Sequence, residues 1–319
     1  MSRAAPSLAA RARWMITVGP DHPRIAGFVA AVRRPLARLL PPAGLAAVCW
    51  PGAAALAAFE LATEGRTAGD YERLRALVGG RGRWNWRRVW LGRTRRHVAE
   101  LARLWPDAMP QPEWAARFRL AGSPAGAAAL SAGGGPAVLL TLHHGPFRTL
   151  HDWLRGRGVR AAWLGGTDYA EVRNRPLRRS LSAAANRATG MVGVPTLFTA
   201  PQLLSAGRFL ADGGVLLVAA SGNVGPPGRG RASGVAWQFR PGGARLAGVA
   251  GAVVVPGVAV AGRGGVTTLW LGDPVRGESA ALDALARLAR DAAQDAPGQL
   301  DAFVMALASP DAGHPAGRR

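Results

Sequence analysis

Ala137-Val-Leu-Leu-Thr-Leu-His-His-Gly-Pro-Phe-Arg-Thr-Leu-His-Asp152 decides how the rest of the sequence is read. An apolar run ends abruptly in two histidines, a Gly-Pro turn and the start of a helical pattern. A buried strand has this composition, and α/β folds place reactive side chains where a strand end passes into a helix. His143 and His144 are therefore predicted at the top of a sheet.

Downstream, short apolar segments recur at Ala161 to Leu164, Gly214 to Ala220, Ala252 to Val260 and Thr267 to Leu271. Helical patterns alternate with them at Phe147 to Arg155, Arg175 to Thr189, Pro201 to Ala211 and Gly242 to Ala250. A last amphipathic helix is predicted over Ala280 to Ala293, with Leu282, Leu285, Leu288 and Ala292 on one stripe. Alternation of this kind predicts an α/β fold: a mixed, mostly parallel sheet flanked by helices, with an N-terminal helical region. Gly222 to Gly234 is the one long Gly/Pro/Arg-rich stretch, expected as a loop that lines a substrate site or runs over the surface. The expected organisation is a helical membrane-associating region over 1–124, an α/β core over 125–308 and a disordered tail over 309–319.

All 40 basic residues are arginine, and against 19 acidic residues they give a formal charge of +21. That balance favours polyanions: anionic lipid headgroups, phosphorylated carriers or nucleic acid. A mean hydropathy of +0.06 excludes a polytopic membrane protein and allows a globular chain attached to a membrane. Cys49 is the only cysteine, so no disulfide framework and no cysteine-based metal site is available, and a reducing compartment is expected. Met15 to Pro20 is too short and interrupted for a secretory signal, and no cleaved leader is expected.

Within the N-terminal part, the run Gly44 to Ala62 approaches the length of a bilayer span. Pro51 interrupts it and Glu60 sits inside it, so broken helices packed on the core or lying in a membrane interface are expected. A spanning helix and an Ala-rich soluble helical pair are the alternatives. Residues 84 to 105 interleave Trp84, Trp86, Trp90 and Trp105 with Arg87, Arg88, Arg93, Arg95 and Arg96. This pattern suits a membrane interface, stacking on single-stranded nucleic acid, or a helix with Trp90, Val98, Leu101 and Trp105 facing a core.

A neutral imidazole at a strand end can take a proton from an alcohol, and a carboxylate on its other nitrogen stabilises the imidazolium that forms. His143-His-Gly-Pro-Phe-Arg148 resembles the His-x4-Asp/Glu motif of the lysophospholipid acyltransferase superfamily, in the His-Phe-Gly-Asn-Trp-Glu form of its lipid A late acyltransferase branch. Leu210-Ala-Asp-Gly-Gly-Val-Leu-Leu-Val-Ala-Ala-Ser-Gly222 is similar to a second block of that family, and Phe239 to Ala247 with Gly251-Ala-Val-Val-Val-Pro256 to a third. Leu271-Gly-Asp-Pro274 resembles its strand ending in Asp-Pro, and Pro297-Gly-Gln-Leu300 stands where a Pro-Glu-Gln-Trp-like turn is usual. The resemblance covers roughly 135 to 305. Two positions depart from it: Arg148 stands in the acid's place, and Ser221 stands where the family often has Asp.

The resemblance implies an acyltransferase that moves a fatty acyl group from acyl carrier protein or coenzyme A to a hydroxyl of a lipid or glycolipid. It implies His143 as general base; Asp152, four residues after Arg148 on the same predicted helix face, either pairs with Arg148 or reaches His143 or His144 as the orienting acid. His144, Arg148, Arg173, Arg175 and Arg240 are the expected contacts to substrate, because Arg240 precedes the Gly242-Gly243 helix start and helix N-termini bind anions. A base without a local carboxylate and a catalytically silent lipid-binding relative stay open beside the Asp152 dyad. No metal and no cofactor beyond the thioester donor is expected. Expected partners are anionic membrane lipid and acyl carrier protein or acyl-CoA at the cytoplasmic face of a bacterial inner membrane. Nucleic acid is not expected, although the charge keeps a basic nucleic-acid-binding protein as the rival from another class.

Overall fold

The structure, a computed structural model, describes residues 42–63, 67–102, 115–164, 196–197, 200–221, 228–299 and 308–310. Among these, helices α1 (Pro42–Thr63), α2 (Ala68–Val78) and α3 (Trp86–Ala102) come first. Strand β1 (Phe118–Gly122), the short helix α4 (Pro124–Ala129) and strand β2 (Ala137–Thr141) follow. Next come α5 (Thr149–Gly156), β3 (Ala161–Leu164), β4 (Thr196–Leu197), α6 (Ala200–Ala211) and β5 (Val215–Ala219). The chain continues through β6 (Gly228–Ala232), β7 (Val235–Phe239), α7 (Gly242–Val249), β8 (Val253–Ala261), β9 (Thr267–Leu271), α8 (Glu278–Asp295) and β10 (Ala308–Pro310).

Seven strands form one sheet in the order β1-β9-β8-β2-β5-β3-β4. Every neighbouring pair is parallel except β8 and β9, so the sheet is mixed and mostly parallel, as the alternation of elements predicted. β2 is central and buried on both faces. Its side chains alternate between them: Ala137 and Leu139 join Leu150, Trp153 and Leu154 of α5, while Val138 and Leu140 face Ala244 and Ala247 of α7 and Leu285 of α8. Period-two alternation onto two apolar layers explains why this strand is a continuous apolar run.

The connections around β2 and β5 diverge. The chain leaves β2 through α5 on one face to reach β3, and returns from β5 through α7 on the other face to reach β8. The carboxyl ends of β2 and β5 thus flank a topological switch point, where open α/β sheets bind ligands.

Several expectations need correction. β1 lies inside the region expected to be helical yet pairs with β9 along its whole length. Tyr71, Leu74, Val78, Trp84 and Val89 share one buried cluster with the sheet, so α2 and the start of α3 belong to the same core as the strands. The apolar run at 44–62 is one continuous helix with Pro51 inside it. Pro51 lies on the exposed side of α1, and the flanking alanines carry high helical propensity.

Residues 228–234, expected as loop, form half of a β6–β7 hairpin. Its two-residue turn, Ser233-Gly234, has φ of 48° and 80°, the left-handed pair that twisted hairpins require. Gly230 is needed because a Cβ there would stand 2.2 Å from the Leu282 carbonyl oxygen of α8. Ser309 and Pro310, expected in the tail, pair with β7 through β10. The expected helix at 175–189, residues 222–227 and the remainder of the tail lie outside the described residues.

Candidate functional site

His143 follows β2 and Ser221 follows β5, so two adjacent parallel strands deliver them to the same edge of the sheet. The backbone N–H of His143 donates to Ser221 Oγ over 2.9 Å, and the His143 ring nitrogen Nδ1 lies 2.8 Å from the same oxygen. Ser221 is buried, and the His143 ring is half-buried. Phe147 meets that ring edge to face at a centroid distance of 4.7 Å and meets Trp163 in the same way at 5.6 Å. The imidazole is therefore fixed on one side by a hydroxyl and on another by an aromatic wall.

The turn that carries the histidines is held from below. Gly145 has φ of 55°, and a Cβ there would come within 2.0 Å of the Ala259 carbonyl oxygen. Only glycine fits so close to β8. Its N–H donates to the Gln299 carbonyl, while the buried Gln299 side chain accepts from Ala261 N–H and donates to Ala261 C=O, both at 2.7 Å. One residue thus clamps the end of β8 to the histidine turn. Gln299 stood in the sequence as part of a turn block, and its clamp was not foreseen.

The other expected site residues divide. Arg148 stands at the N-cap of α5 with its side chain exposed and its guanidinium 5.5 Å from the Phe147 ring centroid. That cation sits over the ring that walls the imidazole. Arg240 is brought to the same edge, since its N–H donates to the Ala220 carbonyl next to Ser221 at 2.7 Å. Arg173 and Arg175 lie outside the described residues.

Asp152 is buried on α5, 3.8 Å from Nδ1 of His151. Ser221, not Asp152, supplies the oxygen at Nδ1 of His143. His151 is buried beside it.

His144, expected to contact substrate, is turned into the interior. Its ring is fully buried, and neither ring nitrogen meets a hydrogen-bond partner. Burial, reinforced by the Arg96 charge, pushes its pKa down to about 3, so it is neutral at physiological pH.

Arg96 belongs to a second polar cluster that the sequence did not announce. Glu60 projects from α1 to Arg96 of α3 at 3.0 Å, His97 Nε2 at 3.1 Å and the buried Arg93 at 3.4 Å, and Arg93 also donates to Tyr71 Oη. Burial raises the Glu60 carboxyl, but the close approach of His97 and the charges of Arg96, His97 and Arg93 outweigh it and bring it down to about 2. Its signal was a lone acid in an apolar helix, which needs a partner.

A cleft of about 360 Å³ lies between α3 and the Pro297–Gln299 turn, lined in part by Arg88, Arg95 and Asp295, and shares Gln299 with the histidine turn. Among the described residues no group of His, Cys, Asp and Glu is arranged to hold a metal ion. Cys49 is buried and its thiol is pushed up to about 11, which makes it a packing residue rather than a nucleophile. The chain matches no protein-family model and no curated protein.

Proposed function

We propose that the protein transfers a fatty acyl group from an acyl carrier protein or coenzyme A thioester to a hydroxyl of a lipid or glycolipid, with His143 as general base. The observation that carries this reading is the His143–Ser221 pair at the carboxyl ends of β2 and β5, the place where this class of sheet binds ligands. His143 Nε2 takes the proton of the acceptor hydroxyl as its oxygen attacks the thioester carbonyl. The tetrahedral intermediate then expels the thiolate, which receives that proton from the imidazolium, so that ester and thiol are the products. Arg148 and Arg240 supply positive charge at the same edge for phosphate groups of acceptor or donor.

Attachment to the cytoplasmic face of a bacterial inner membrane is part of the proposal. Ala43–Ala62 of α1 is long and apolar enough to cross a membrane by length and composition, and 28% of its apolar window is buried. Its only charge, Glu60, is turned toward α3, and its outward face presents Val48, Trp50, Pro51, Ala55 and Ala58. An uncharged face on a chain of net charge +21 suits the interface of an anionic bilayer.

A second reading, a lipid-binding relative without catalysis, is favoured by the hydroxyl that takes a carboxylate's place at Nδ1. Purified protein with anionic vesicles, acyl-CoA or acyl carrier protein thioesters and a hydroxyl lipid acceptor separates the two. Acyl transfer that falls about a hundredfold or more in His143→Ala supports the enzyme. Transfer unaffected by that change eliminates His143 as base, and no transfer from any donor, with vesicle binding retained, favours the lipid-binding relative. Salt-dependent binding to DNA or RNA without vesicle binding would overturn both.

A further inference from the structure

The arginines of α3 divide by helix face. Arg93 and Arg96 turn to Glu60 of α1. Arg88 and Arg95 stand seven positions apart, two turns of an α-helix, so they leave α3 on one face about 10 Å apart. That face borders the cleft of about 360 Å³ against the Pro297–Gln299 turn. Glycines bring its two walls together: a Cβ on Gly92 would stand 2.8 Å from Gly298 Cα, and one on Gly298 would stand 2.1 Å from the Val89 carbonyl oxygen. Backbone thus meets backbone at 89 and 92, and Arg88 and Arg95 flank that contact along the helix.

Both arginines are half-buried. Among the described residues Arg95 has no hydrogen bond or ion pair, and the Arg88 side chain has one bond, from Nη1 to the Arg81 carbonyl at 2.9 Å. The cleft therefore carries two permanent cations against one carboxylate, Asp295 at the end of α8, which pairs with neither. Two guanidinium groups of like charge on one wall repel each other, and an anion between them turns that repulsion into attraction. The volume lies near the lower end of the roughly 300–1,000 Å³ of small-molecule sites, enough for an anionic group with a short attached portion.

We propose that this cleft binds a phosphate monoester, with Arg88 and Arg95 donating to its oxygens. Such a group carries a charge of about −1.5 to −2 at pH 7 and three terminal oxygens, which suit two planar guanidinium forks better than a single carboxylate does. Asp295 only accepts hydrogen bonds, so it directs the phosphate toward α3 and suits a hydroxyl or amine on the attached portion. The proposal does not depend on acyl transfer. Occupancy reaches the histidine turn through Gln299, which lines the cleft, bonds both backbone groups of Ala261 and accepts from Gly145 N–H. A ligand that binds only the closed arrangement of these residues slows their local opening.

The test is calorimetric titration of the full chain with inorganic phosphate at fixed ionic strength. Wild type should bind saturably, and Arg88→Gln combined with Arg95→Gln should weaken binding about tenfold or more. Arg87→Gln, which removes an exposed charge from the same helix outside the cleft, should bind as wild type does. Phosphate should also slow amide exchange at Ala261 and Gly145 in wild type and not in the double variant. Absence of binding up to about 10 mM, binding unchanged in the double variant, or an equal loss in Arg87→Gln overturns the site. Binding that leaves both amides unprotected overturns the link to the histidine turn. Phosphatidylcholine vesicles with and without phosphatidic acid separate the sources of the group. Attachment that needs phosphatidic acid, yields to free phosphate and is lost in the double variant assigns the site to a lipid headgroup; attachment that the substitutions leave unchanged, beside weakened phosphate binding, assigns it to a soluble ligand. If the double variant does not fold, Arg95→Gln alone decides.

Discussion

Replacing His144 by leucine should make the protein less sensitive to acid. The ring is fully buried, meets no hydrogen-bond partner and titrates at about 3 in the folded state, against about 6.5 for the unfolded chain. A histidine depressed on folding contributes nothing against stability above the unfolded value, where both states are neutral. Below pH 6.5 the unfolded chain binds a proton that the folded chain refuses, so stability falls by about 1.4 kcal/mol per pH unit until the folded ring titrates near 3.

At pH 4.5, two units below the unfolded value, the loss is about 2.7 kcal/mol. His144→Leu removes this term together with two buried unsatisfied nitrogens, so at pH 7.5 the variant should equal or exceed wild type by about 1 kcal/mol. Urea denaturation of both proteins at half-unit steps from pH 4.5 to 8 reads the difference directly. The two stability curves should run parallel above pH 7 and separate below 6.5, with wild type the steeper. Curves that stay parallel down to pH 4.5 would refute the claim that His144 is sealed away and neutral.

Glu60→Gln should cost about 3 kcal/mol at pH 7, since the carboxyl is lowered from 4.5 to about 2 and the buried Arg93 loses its anion. This stability is present above pH 4.5 and lost as pH falls toward 2, so acid titration of urea stability should show that window in wild type and not in the variant. Gly145→Ala should destabilise by about 3 kcal/mol or more, because φ of 55° and the Ala259 carbonyl 2.0 Å from the added Cβ both oppose it, and thermal melting measures the loss. Gln299→Leu should cost about 3 kcal/mol by stranding both backbone groups of Ala261, and amide hydrogen exchange should rise first at Ala261 and Gly145.

The central strands were legible because β2, β5 and β8 are buried on both faces and so carry unbroken apolar runs. β1 escaped notice for the opposite reason. Phe118-Arg-Leu-Ala-Gly122 is an edge strand with an exposed arginine and Leu120 about half exposed, so it has neither alternation nor a run. The β6 strand is Gly-Arg-Gly-Arg-Ala, and its strand character comes from the close approach to α8 that Gly230 permits, a tertiary cause with no local signature beyond the Ser-Gly turn. His143 was legible from its place after β2. Ser221 was legible as a residue at the end of β5, but its contact with His143 depends on β2 and β5 being neighbours, and sequence order separates them by β3 and β4.

The same junction holds its shape without an acid at position 148 or 221. The geometry of the turn comes from backbone and glutamine contacts: Gly145 against Ala259, Gly145 N–H to Gln299, and Gln299 across Ala261. None of these requires charge at positions 148 or 221. The orientation of the His143 ring comes from Phe147 and from an oxygen on residue 221, and a hydroxyl supplies that oxygen as well as a carboxylate does. What a hydroxyl does not supply is a negative charge to stabilise imidazolium, or a partner that only accepts. Turn geometry and ring placement therefore do not depend on a charge at residue 221, and a hydroxyl and a carboxylate there differ in the proton affinity they give the ring.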